Sequence, residues 1–141
     1  MMTRDQKQVK LGDFGVARIL DTTEEGETLK ATTVTGTPTH MAPEVWDRSG
    51  YTAAMDIWSL GVCLYQLCNL HLPFEGTGQN EIMAKVKAGV YPEIKMHNSK
   101  KLKELIEMCL SVDPSLRPNI DTLIDLVTEI DFNLPTATTT M

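Results

Sequence analysis

The chain has 141 residues, 42% of them apolar and 23% charged, enough for one packed core and too few for two ordinary domains. Its net charge of -6 and isoelectric point near 5.0 argue against a surface for nucleic acid or an anionic membrane, because both repel an acidic protein. Cys63, Cys68 and Cys109 lie in apolar, helix-like runs without metal-ligand or Cys-x-x-Cys spacing. Buried reduced thiols in an intracellular protein, cytoplasmic or nuclear, are therefore expected, and a disulfide framework is not.

Residues 1–5 hold no apolar signal-peptide region. Residues 8–12 alternate polar and apolar, as a half-buried strand does. Asp13-Phe14-Gly15 turns the chain, and residues 16–20 read as a second short strand. Residues 21–35 are polar, with Glu24, Glu25, Gly26 and Glu27 at their middle, and are expected to form a loop. Gly36-Thr37-Pro38 resumes order, and residues 42–46 suit a short helix with Pro43 in its first turn.

Residues 54–70 are helical and apolar almost all round, which predicts a helix in the middle of the domain. The apolar run, residues 57–74, is interrupted by Ser59, Gln66, Asn69 and His71 and reads as buried core, not as a membrane span. Leu72-Pro73 stops it. Amphipathic helices are predicted over 80–88, ended by Gly89, and over 99–110. Asp113 to Pro118 is a turn, and Asn119 caps a last helix carrying Ile120, Leu123, Ile124, Leu126, Val127 and Ile130. Residues 133–141 are expected to be a disordered tail.

Four motifs occur in order: Asp13-Phe14-Gly15, Ala42-Pro43-Glu44, Asp56-Ile57-Trp58-Ser59-Leu60-Gly61, and Asp113-Pro114-Ser115-Leu116-Arg117-Pro118. Taken singly, Asp13 is a hairpin carboxylate satisfying a backbone N–H, and Trp58 and Gly61 are packing residues. Taken together, they resemble the eukaryotic Ser/Thr protein kinase family from its metal-binding turn to its last helix. The resemblance covers residues 8–131, with an activation segment somewhat like that of the NIMA-related group. It implies a mainly α fold: a kinase C-terminal lobe over residues 1–132, with a short N-terminal β-hairpin and without the N-terminal lobe.

The resemblance also assigns roles. Asp13 is the ligand of Mg²⁺ bridging ATP phosphates, a hard cation suited to carboxylate. Phe14 and Gly15 match the plug and hinge of the switch. Thr33 matches the activation-loop phosphosite, with Thr32 and Thr35 as competitors. Thr37 matches the threonine that touches the catalytic aspartate in Ser/Thr kinases. Glu44 and Arg117 match a buried ion pair, where guanidinium can serve a carboxylate bidentately and ammonium cannot. Asp56 matches the brace of the catalytic loop. Thr39-His40 departs from the two aromatics common in relatives, so substrate preference does not carry over, and His40 has no second metal ligand nearby.

The sequence holds no glycine-rich loop, no Val-Ala-x-Lys and no His-Arg-Asp. No catalytic residue is therefore assigned. ATP and Mg²⁺ are expected in an intact parent, and tight binding of either to this chain alone is not. Three readings remain open: a piece of an active Ser/Thr kinase, a non-catalytic binding module that docks partners through its helical lobe, or a decayed fragment. The presence of Asp13, Glu44, Asp56 and Arg117 favours the first. The expected partners are a protein substrate, a docking protein or an absent N-terminal portion, with neither nucleic acid nor membrane.

Overall fold

A computed structural model describes residues 9–12, 36–50, 52–95 and 100–130. Five α-helices follow one another there: α1 (Pro43–Trp46), α2 (Ala54–Asn69), α3 (Gln79–Ala88), α4 (Lys100–Cys109) and α5 (Ile120–Thr128). Single 3₁₀ turns at Pro38–His40 and Pro114–Leu116 complete the described elements. Apart from residues 9–12, the expected hairpin lies outside the described residues, as do all of the polar loop and the tail.

Local signals set the helix ends. Asn119 Oδ1 accepts the Thr122 N–H at 2.8 Å and caps α5. Asp113 Oδ1 accepts from the N–H and hydroxyl of Ser115 at 2.9 and 2.7 Å, folding the turn before it. Gly89 ends α3 at φ +63°, in the left-handed region that glycine enters at little cost. Leu70 ends α2 in the same conformation at φ +62° without that freedom.

The core forms around α2. One stripe of that helix, Ile57, Trp58, Gly61, Val62 and Tyr65, is buried. Trp58, Val62 and Tyr65 pack with Phe74, Val86 and Ile106, while Ile57 joins Leu105, Cys109, Leu123 and Ile130 in a second cluster. Helix α4 approaches closely at Gly61, where an added Cβ would stand 2.7 Å from Cys109 Cβ. Two expectations are corrected. Among the described residues α2 is not enclosed all round, since Leu60 is 36% and Leu67 74% exposed. Nor are all three thiols buried: Cys109 is, Cys68 is half-buried and Cys63 is exposed. All-round apolar composition shows that a helix can be enclosed; only its neighbours decide which faces are.

Candidate functional site

The segment from Gly36 to Trp46 forms the candidate site, together with the start of α2 and the turn before α5. Pro38 starts a single 3₁₀ turn, closed by the His40 N–H donating to the Thr37 carbonyl at 2.9 Å. Met41, Ala42 and Val45 anchor this segment in the core. The Ser59 hydroxyl, on α2, lies 3.0 Å from the His40 carbonyl and 3.2 Å from that of Met55, and so can tie the turn to the helix. A hollow of about 120 Å³ opens between them, lined by Gly36, Thr37, His40, Met41, Met55 and Ser59 among others. Thr37 is exposed at its edge. Burial lowers the His40 pKa, favouring the neutral ring, and Nδ1 stands 3.0 Å from Thr39 Oγ1.

Glu44 and Arg117 hold this segment to the far end of the domain. Arg117 Nη1 donates to Glu44 Oε1 at 2.7 Å and Nη2 to Oε2 at 2.8 Å, the bidentate pair expected from sequence. Its remaining donors reach backbone carbonyls of Ser111 at 2.9 Å, Ala54 at 2.9 Å and Val112 at 3.3 Å. The five N–H bonds of the guanidinium are thus all used, as a charge with a side chain 0% exposed requires. The cation links α1, the start of α2 and the chain entering α5. This explains why a proline-led single turn of helix, too short to persist alone, is held in place.

Asp56 sits in the first turn of α2, where a carboxylate favours the helix dipole, and it is exposed. Asp13, Phe14, Gly15 and Thr33 lie outside the described residues. The structure therefore brings Glu44 and Arg117 together and sets Thr37 beside the hollow near the N-terminal end of α2. Among the described residues no three His, Cys, Asp or Glu side chains come together as a metal site.

Sequence reasoning missed several contacts. The Asn69 amide donates to the Glu93 carbonyl at 3.1 Å and accepts the Lys95 N–H at 2.8 Å, clamping the segment after α3. The Tyr65 hydroxyl donates to the Pro92 carbonyl at 2.9 Å. Lys87 pairs with Asp47, joining α3 to the residue that ends α1. Each partner is distant in sequence; for Tyr65 and Asn69 a polar group in an apolar helix was the available signal, and for Lys87 and Asp47 there was none.

The family model for the protein kinase domain matches residues 1–126. The chain belongs to the protein kinase domain family. It is 41% identical over 122 residues to the human serine/threonine-protein kinase Nek2, covering 86% of this chain and 26% of that protein. Two Dictyostelium discoideum proteins, the probable serine/threonine-protein kinases nek2 and nek3, are 38% and 40% identical over 85% and 84% of this chain. They are covered over 28% and 10% of their own lengths. The chain thus spans between a tenth and just over a quarter of these relatives. The NIMA-related resemblance seen in the activation segment agrees with these names, and the helical architecture agrees with the expected lobe. No helix among the described residues is long and apolar enough to cross a membrane.

Proposed function

We propose that this chain is the substrate-facing, C-terminal part of a Ser/Thr protein kinase domain, whose intact form moves the γ-phosphate of ATP to a protein serine or threonine. The observation that carries this reading is the buried Glu44–Arg117 pair. It fixes the segment containing Thr37 against α2, and phosphoryl transfer depends mostly on such positioning. Thr37, exposed beside the hollow, suits contact with an incoming hydroxyl-bearing segment. Asp56 suits a brace on the solvent side of α2. Asp13 is the residue proposed to hold Mg²⁺, Phe14 and Gly15 to set that turn, and Thr33 to take a regulatory phosphate. Mg²⁺, when bound with ATP, neutralises charge on the phosphate oxygens.

The partner class is a protein substrate. An intracellular setting, cytoplasmic or nuclear, is supported by three cysteines with no disulfide among them.

The test is a chimera in which residues 8–130 replace the matching segment of the human Nek2 kinase domain. Phosphorylation of Ser/Thr peptides and not of Tyr peptides, abolished by Asp13→Ala, is the expected result. Residues 1–141 alone are the companion sample and are expected to transfer no phosphate, because the sequence lacks a catalytic-loop base. A folded chimera without activity, or one indifferent to Asp13→Ala, overturns the reading.

A further inference from the structure

A second concavity, sharing no residue with the hollow beside Thr37, lies where the chain leaves α2 and where it leaves α3. It encloses about 660 Å³ and is lined by residues 71–73, Glu75, Lys85 and residues 90–92, a volume typical of a binding site, roughly 300–1,000 Å³. The aromatic ring lining it is that of Tyr91, backed by the fully buried rings of Phe74 and Tyr65. Tyr91 stands edge-on to Phe74 and to Tyr65, with ring centroids 5.7 and 5.6 Å apart. Pro73 and Pro92 line the groove as well, one on each of its two segments, and Val90, 67% exposed, adds apolar rim.

The walls are built to hold this shape. Tyr65 bonds the Pro92 carbonyl, and Asn69 clamps Glu93 and Lys95 immediately beyond it. The Lys85 ammonium donates to the Glu75 carbonyl at 2.7 Å and pairs with Glu81 at 2.8 Å. The His71 Nδ1 lies 3.1 Å from the Leu72 carbonyl.

Charge then selects the visitor. The positive charge of Lys85 is matched by Glu81, whereas the Glu75 carboxylate accepts the Leu72 N–H and makes no ion pair among the described residues. The groove is thus a trough lined by Tyr91, Pro73 and Pro92, with the Glu75 carboxylate at its edge outside any ion pair among the described residues. Extended proline-containing peptides suit such troughs, because they lie on aromatic rings and lose little conformational freedom on binding.

We propose that this groove docks an extended segment of another protein, rich in proline and leucine and carrying a lysine or arginine that pairs with Glu75. The proposal stands independently of the phosphoryl-transfer reading, since it uses none of the residues assigned there.

The probe is a short fluorescent peptide of alternating proline and leucine ending in arginine, titrated with the full chain and followed by anisotropy. A second peptide ends in glutamate. Saturable binding of the first, at least about tenfold tighter than the second, is expected. Glu75→Lys, an exposed change, should erase or invert that order, and Val90→Asp should weaken both peptides. Circular dichroism checks that both variants keep the helices. No saturable binding, or an order of peptides unchanged by Glu75→Lys, overturns the proposal. So does self-association of the chain that Val90→Asp abolishes, which would assign the groove to a second copy.

Discussion

The guanidinium of Arg117 lies over the indole of Trp58, with Cζ 5.1 Å from the ring centroid. Trp58 is fully buried and stacks on Phe74 with centroids 5.4 Å apart. The cation that binds Glu44 is therefore also a wall of the core. An arginine's planar, delocalised charge suits both tasks, and a lysine's compact ammonium suits neither well.

Arg117→Ala should destabilise the folded domain by about 3–5 kcal/mol, because it strands the Glu44 carboxylate and opens space over Trp58. Arg117→Lys should cost less, since one charge remains for Glu44 although the forked geometry is lost. Arg48→Ala, at an exposed position, should change stability by less than about 1 kcal/mol. Denaturation midpoints of the three variants check the order, and equal midpoints would contradict it.

Leu70 holds a left-handed backbone at the end of α2 while 89% exposed, so it carries the steric penalty with little burial to offset it. That conformation costs an ordinary residue roughly 1–2 kcal/mol. Leu70→Gly should therefore stabilise the domain by about 1 kcal/mol, read as a rise in the urea midpoint. A fall would show that the leucine side chain contributes more than its exposure suggests.

Glu81 accepts a hydrogen bond from Lys85 and others from the Thr77 N–H and hydroxyl, at 2.8, 3.0 and 3.1 Å. These donors, the Lys85 bond foremost, hold its carboxyl down at about 2 against an ordinary 4.5. A depressed folded-state pKa gives stability that is present above the unfolded value and is lost as pH falls through the folded one. The wild-type chain should thus exceed Glu81→Gln in thermal midpoint at pH 6, with the gap narrowing below about pH 4.5 and closing near 2. A gap independent of pH would locate the effect elsewhere.

The cysteines should separate by reactivity. Burial pushes the Cys109 thiol up to about 11 and raises that of Cys68, whereas Cys63 faces solvent. Since the thiolate is the nucleophile, iodoacetamide at pH 8 should label Cys63 first and Cys109 last. Peptide mapping over time reads the order; early loss of Cys109 would mean that α4 opens readily.

Much of this architecture was legible without coordinates. The end of α3 at Gly89, the cap at Asn119 and the turn at Asp113 are local: each depends on one side chain or one glycine and the backbone a few residues away. The Glu44–Arg117 pair, 73 residues apart in sequence, was legible for another reason. Both ends sit in short motifs whose order and spacing resemble a known family. Tertiary structure alone decided which side of α2 is covered, so that Ile57 and Tyr65 are buried while Leu67 and Cys63 face solvent. It alone brought Asn69 to residues 93 and 95, and Tyr65 to Pro92, shaping the groove around Tyr91. A helix's composition records how much apolar surface it has to bury, but which faces and polar groups find partners depends on chain segments brought near only by folding.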